Sequence, residues 1–231
     1  LHHQSRRQRQ MCIRDRSDNV GRQVAKSTNK KVLSLFHPIN LNLPKPKDKE
    51  KAKINLGLSD KTYISFVGLI RKYKGLETLI KSMKLMSRND IRLIIAGEFY
   101  EPVNTYLSLI NDLDLNDKII IYNKFLDSKM IRDYICASDL IIQPYIKASQ
   151  SGITPLCYFY ETPMVVSDIE GLKDVVIRDK SGAIFKKTAE NLSSVILESL
   201  DKEKNLNYKE NIKKSKVKYS WLSFIKELQK L

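Results

Sequence analysis

Residues 63–84, YISFVGLIRKYKGLETLIKSMK, change their period across a glycine-bounded loop. Up to Val67 the run is apolar, aromatic and β-branched, the composition of a strand buried on both faces. Beyond Gly75, Leu76, Leu79, Ile80 and Met83 fall at i, i+3, i+4 and i+7, one face of an amphipathic helix. Gly68 and Gly75 punctuate the change. Strand, glycine-bearing loop and helix make the first half of a βαβ unit.

The same succession repeats downstream. Apolar, β-branched runs occur at 91–96, 118–122, 140–144, 163–167 and 183–186. Helical faces lie between them: Val103, Tyr106, Leu107 and Ile110; Met130, Ile131, Tyr134 and Ile135; Leu192, Val195, Ile196 and Leu200. Alternation of this kind predicts an α/β fold, a doubly wound, mostly parallel, Rossmann-like sheet of about six strands. Ligands of such sheets bind beyond the carboxyl ends of the strands, so function is sought in the loops that follow each strand.

Upstream, KVLSLF at 31–36 reads as a short strand. The proline-punctuated LNLPKPKDKE at 41–50 reads as a solvated linker, followed by a short helix at 48–56 that ends at Gly57. Residues 1–16 have no periodicity, and MCIRDRS resembles a translated sequencing adapter. They are expected to be a non-native leader, with the two leading histidines no metal site and a natural N-terminal part missing.

The chain has 231 residues, 42% of them hydrophobic, enough for one large domain or for one domain and part of another. No apolar run approaches the roughly 20 residues of a membrane-spanning helix. Three cysteines without framework spacing argue against a disulfide-stapled domain or a zinc site and suit a reducing cytoplasm. The net charge of +15 invites a nucleic-acid reading, but the body, 54–201, holds 18 bases and 19 acids. The excess lies at the margins, including nine lysines against three glutamates in 202–231. Basic margins on a near-neutral body are a weak footprint for DNA or RNA and suit either solvated lysines or an anionic membrane surface.

Four strand-end loops carry candidate chemistry. The first holds Gly68, Arg71 and Lys74 before a helix that starts near Gly75. Two cations beside a positive helix end suit a phosphate or diphosphate, though a solvated basic loop reads the same way. The second holds Gly97. The third, Tyr122-Asn123-Lys124-Phe125, offers Asn123 to a nucleobase edge, or is a turn leading to a helix capped by Asp127 or Ser128. The fourth runs from Tyr145 through Ser149, Gln150, Ser151, Gly152, Ile153 and Thr154 to Pro155. Its hydroxyls and backbone N–H groups make an anion cradle, or a plain helix capped by Ser151 or Thr154. Ser167 to Leu172 is a further glycine-bearing loop. Neither a G-x-G-x-x-G nor a P-loop sequence occurs, which disfavours a dehydrogenase or nucleoside triphosphatase.

Taken in order, strand–G-x-x-R-x-x-K-G–helix, strand–G, strand–N-x-F, helix–ASD–strand–PY, SQSG–helix and ExPxVVSDxxGL resemble one family. The pattern, over about 31–228, is similar to the nucleotide-sugar-binding C-terminal domain of family-4 glycosyltransferases, whose GT-B fold sets two Rossmann-like domains face to face. The resemblance implies that 17–43 ends an acceptor-binding N-terminal domain, 44–205 is the donor domain, and 206–231 is a C-terminal helix crossing back. It further implies that Arg71 and Lys74 hold the donor diphosphate and act in catalysis. Gly152 and Ile153 would offer N–H groups to the distal phosphate, with Ser149, Ser151 and Thr154 beside them. Gly68, Gly97, Asn123 and Phe125 would frame the nucleotide, and Tyr145 would line the pocket.

One departure stands out. Much of that family carries two glutamates eight positions apart, the first contacting the sugar and the second the ribose. Here those positions fall near Ala148–Gln150 and Leu156–Cys157, and neither is acidic. Gln150 can hydrogen-bond sugar hydroxyls, Glu161 lies at the wrong end of the helix, and the SQSG form resembles a subgroup with this substitution.

The activity implied is transfer of a sugar from a nucleoside diphosphate donor to an acceptor hydroxyl, retaining and metal-independent, with the nucleotide sugar as substrate and no cofactor. The setting implied is surface polysaccharide or glycoconjugate building by a bacterial cytoplasmic enzyme, at the inner face of the membrane, on a glycan or lipid-linked acceptor. Catalysis would need both domains, so this piece is expected to bind a donor without transferring. Three other readings stay open: a non-transferring relative such as a nucleotide-sugar epimerase, a non-catalytic scaffold domain, and a basic nucleic-acid-binding protein.

Overall fold

The computed structural model describes residues 13–15, 25–27, 32–34, 38–40 and 42–229. Two short strands, β1 (Ile13–Asp15) and β2 (Val32–Ser34), pair in parallel as a separate sheet. β1 comes from the stretch that the sequence reading sets aside; the rest of that leader, with Cys12, lies outside the described residues.

The main sheet has six strands: β3 (Thr62–Val67), β4 (Ile91–Ala96), β5 (Ile119–Tyr122), β6 (Leu140–Gln143), β7 (Met164–Ser167) and β8 (Gly182–Phe185). Their order is β5-β4-β3-β6-β7-β8, and every neighbouring pair is parallel. Each expected strand is found within about a residue of its place. Right-handed crossovers then put the helices that join β3, β4 and β5 on one face and those that join β5 through β8 on the other. Helix Leu76–Lys84 packs on Ala189–Ser199, whereas Ser128–Ala137 packs on Lys49–Asn55 and Ile153–Tyr160. Burial of both faces explains the unbroken apolar runs: Ile64, Phe66, Leu93, Ile95, Ile141 and Val165 are all essentially inaccessible.

Three features differ from expectation. The lysines of 45–53 are not simply solvated. Lys47 bonds Asp133 at 2.9 Å, Lys49 pairs with Asp139, and Lys53 is buried against Glu50 and Asp60. Residues 168–172 are not only a loop: Gly171 sits in the first turn of helix Glu170–Asp179, which buries Leu172 and Val176. The closing segment is two helices, Lys202–Ser215 and Trp221–Gln229, broken by a tight turn at Lys216–Tyr219, and the boundary drawn at 205 falls inside the first of them.

That break is fixed by a buried cluster. The wholly buried carboxylate of Asp179 accepts from the hydroxyls of Tyr158 at 2.9 Å and Tyr219, and from Lys218 at 3.1 Å. Tyr158 also reaches Ser181, and the Tyr158 and Tyr219 ring centroids lie 4.5 Å apart. Nearby, Ile39 N–H donates to the Tyr219 carbonyl, the Tyr160 hydroxyl donates to Pro44, and Lys216 pairs with Glu161. The chain therefore enters and leaves the sheet domain side by side, over the C-terminal end of helix Ile153–Tyr160. Burial alone would raise the Asp179 pKa, but the Tyr219 and Tyr158 hydroxyls and the Lys218 and Arg178 cations hold it below its ordinary 3.8. Its contribution to stability is thus present above about pH 3.8 and lost as pH falls through the lower folded value. Asp179→Asn is expected to cost about 1–3 kcal/mol at pH 7, because hydrogen bonds to a charged acceptor are weakened and one amide face meets donors. An unchanged melting temperature would reject the clasp.

Candidate functional site

All six strands end on one rim. β3 leads to β4 on one side while its neighbour β6 leads to β7 on the other, so their loops diverge and leave a crevice between them. The loop Gly68–Gly75 forms one wall and Pro144–Gly152 the other. The walls touch: a Cβ on Gly75 would stand 2.0 Å from the Pro144 carbonyl oxygen, and Ile146 N–H donates to the Tyr73 carbonyl at 2.7 Å.

Lys74 occupies the crevice. Its side chain is buried, 9% exposed, with Nζ 5.6 Å from the centroid of the Tyr145 ring. Above Gly68, Lys74 Nζ and Ile153 Cδ1 come within 3.6 and 3.4 Å of one point, the place a Cβ would take. Lys74 Nζ and the tip of the Ile153 side chain, at the first residue of helix Ile153–Tyr160, therefore meet over one glycine. Burial first, and then repulsion from Arg71, lower the Lys74 pKa from 10.5 to about 8. Among the described residues no carboxylate offsets these effects. Arg71 lies on the outer lip, exposed, its Cζ 4.5 Å from the centroid of the Tyr100 ring.

The second wall is partly as expected. Helix Ile153–Tyr160 starts at Gly152 with no side-chain cap, and a Cβ on Gly152 would meet nothing within 4 Å. Ile153 N–H, however, donates to Ser151 Oγ at 3.2 Å, and that oxygen also shares a hydrogen bond with the Tyr145 hydroxyl. Thr154 Oγ1 donates to Gln143 Oε1 at the end of β6 and is not a cap. Ser151 and Thr154 thus brace the loop, whereas Ser149 and Gln150 are exposed on it. Tyr145 is buried, and desolvation raises its hydroxyl to about 12, so it stays neutral.

The third loop is tied to the second. Asn123 Oδ1 accepts from Phe99 N–H at 3.1 Å, so that oxygen orders the neighbouring loop. Phe125 is 73% exposed. At Gly97 a Cβ would stand 2.1 Å from the Gly68 carbonyl oxygen, so the glycine is there for close approach of two strand ends. The loop backbones of β3 and β4 continue the ladder: Ile70 N–H donates to Glu98, and Tyr100 N–H returns a bond to Ile70. Sequence reasoning missed Tyr73, Tyr100 and Lys187, whose Nζ donates to the Ile146 carbonyl at 3.0 Å. Their partners are distant in sequence and leave no local signal.

Chemically, the crevice sets a buried cation beside the start of a helix whose first N–H is held by Ser151. The acid of the 153–160 helix is remote: Glu161 closes its far end and pairs with Lys216. Cys157, near the second glutamate position of the resembled family, is fully buried. Among the described residues no group of three or more His, Cys, Asp or Glu side chains is placed to hold a metal ion, and no helix is long and apolar enough to cross a membrane.

Comparison with known proteins meets this geometry. An uncharacterized glycosyltransferase of Methanocaldococcus jannaschii is 26% identical over 173 residues, 73% of this chain and 44% of that protein. The glycogen synthase of Petrotoga mobilis is 30% identical over 159 residues, 65% of this chain and 32% of that protein. The chain thus spans less than half the length of these curated relatives. Among solved structures, Anabaena HepE in complex with UDP-glucose superposes with a TM-score of 0.78 at 15% identity, over 95% of this chain and 64% of that one. The family model for glycosyl transferases group 1 matches residues 47–215, a span that holds both walls of the crevice, and the chain belongs to that family.

Proposed function

We propose that the crevice binds the diphosphate of a nucleoside-diphosphate sugar and that the whole protein transfers the sugar to an acceptor hydroxyl. The observation that carries the reading is the burial of Lys74, without a carboxylate partner among the described residues, beside the first residue of helix Ile153–Tyr160 over Gly68. Negative charge accumulates on the leaving phosphate as the glycosidic bond breaks, and preorganised cations and N–H groups stabilise it. Arg71 and Lys74 are the residues assigned that work, with Gly152 at the helix start. Group 1 membership and the UDP-glucose complex of HepE support a nucleotide-sugar donor. Retention of configuration, independence of metal, a bacterial cytoplasmic setting, a glycan or lipid-linked acceptor and a role in polysaccharide building belong to the same proposal. So does the division into an acceptor domain ending near 43, a donor domain and a segment crossing back.

The test is calorimetry of the 231-residue chain against uridine and guanosine diphosphates, with and without their sugars. Binding with sub-millimolar to millimolar Kd is expected, and no binding at millimolar ligand rejects the reading. A non-transferring nucleotide-sugar-binding domain is the second reading, favoured by the missing glutamate pair. Product analysis with the chain joined to its acceptor domain decides between them.

A further inference from the structure

The guanidinium of Arg71 lies over an aromatic ring of the neighbouring loop. Arg71 Cζ stands 4.5 Å from the Tyr100 centroid. Tyr100 is itself held by the backbone: its N–H donates to Ile70, Ile70 N–H donates to Glu98, and Ile70 and Phe99 form an isolated parallel bridge. One residue on, Lys72 N–H donates to the Glu101 carboxylate at 3.0 Å. The ring and the arginine therefore sit on two loops joined on either side of the contact, so their relative position is set by backbone.

A ring and a carboxylate hold an arginine in different ways. A carboxylate takes the in-plane N–H donors and cancels the charge, whereas a ring takes the flat face and leaves both the edge donors and the charge available. We propose that Tyr100 is a positioning residue for the donor site, holding the Arg71 guanidinium over its ring with N–H donors left for the outer oxygens of a diphosphate. This rests on the donor-site reading and adds to it a residue outside the G-x-x-R-x-x-K-G pattern.

Calorimetry with uridine and guanosine diphosphates on the 231-residue chain tests it. Tyr100 is 54% exposed, so Tyr100→Ala is expected to melt with the wild type. It should raise Kd about two- to five-fold, the worth of an exposed cation–π contact. Tyr100→Phe and Tyr100→Trp, which keep the ring, should bind as wild type. In an Arg71→Ala background Tyr100→Ala should change nothing further. Equal loss in both backgrounds would mean that the ring meets the ligand directly, and loss in Tyr100→Phe would mean that the hydroxyl is used; either overturns the positioning role. If wild type binds and Tyr100→Ala binds equally well, the role fails and the donor site stands. If wild type binds neither diphosphate, both readings fall.

Discussion

Lys74→Met is expected to stabilise the protein and at the same time to remove most of its affinity for a nucleoside diphosphate. The ammonium is buried, and burial followed by the nearby Arg71 brings its pKa down from 10.5 to about 8. The sign follows from linkage. Below pH 8 both folded and unfolded chains carry the proton, and the fold bears the whole cost of burying the charge. Between about 8 and 10.5 the unfolded chain holds more protons, so this group's cost shrinks and stability rises with pH. A shift of this size corresponds to at most about 3 kcal/mol. Methionine keeps the length and removes the charge, so a gain of a few kcal/mol at pH 7, or roughly 4–10 °C in melting temperature, is expected and should fade above pH 10. Binding moves the other way. Loss of a charge-assisted contact worth about 1.5–3 kcal/mol raises Kd on the order of 10- to 150-fold. In the whole enzyme, loss of one preorganised donor to the leaving phosphate should lower turnover about 10²–10³-fold. Wild-type affinity should also decline above pH 8, with a proton taken up as the diphosphate binds, and both effects should vanish in Lys74→Met. Thermal melts together with calorimetry in buffers of different ionisation enthalpy read all of this. A variant that melts lower yet binds as wild type would remove Lys74 from the site.

The sequence carries the sheet because strands buried on both faces cannot hide: the run 62–67 has no solvent side to dilute it with polar residues. It carries the strand ends for a related reason. Gly68 and Gly97 adopt φ of +106° and +146°, which other residues rarely do, so glycine marks each exit. The same habit misled at Gly171. That glycine reads as loop punctuation, yet it lies inside a helix, where a Cβ would stand 2.3 Å from the Ala148 carbonyl oxygen. A helical glycine demanded by a neighbour and a loop glycine demanded by φ look alike in one dimension. Side-chain contacts are harder to read for another reason. The chemistry of Ser151, Thr154 and Asn123 suits ligand contacts, and in the structure the backbone and Gln143 engage one polar atom of each. Lys74 and Tyr100 depend on contacts between segments that only the folded rim brings together, and nothing local announces burial of the one or the cation contact of the other.

Gly97→Ala should be strongly damaging to this rim. The φ of +146° is one that a residue with a Cβ tolerates poorly, and the new carbon would stand 2.1 Å from the Gly68 carbonyl oxygen and 3.1 Å from Ile70 Cδ1. The first contact is backbone and cannot rotate away. Gly97 is also held from the far side, because its N–H donates to Tyr122 at 3.0 Å, while Gly68 N–H donates to Ala96 at 2.9 Å. A methyl group must therefore part β3 from β4 at the point where Ile70 and Arg71 leave the sheet. Strain of about 1–3 kcal/mol adds to the displacement, for a total near 3–4 kcal/mol, or a melting temperature lower by roughly 6–16 °C. Affinity for the diphosphate should fall with it, since Arg71 and Tyr100 lie directly beyond the break. Gly57→Ala is the control: φ is +65° there and a Cβ would meet nothing within 4 Å, so only the left-handed penalty of about 1–2 kcal/mol applies and binding is untouched. Melts and titrations of the pair separate strain from site. If Gly97→Ala melts no lower than Gly57→Ala, the close approach of the two strand ends is wrong; if it melts lower yet binds as wild type, the loop Gly68–Gly75 is not a wall of the donor crevice.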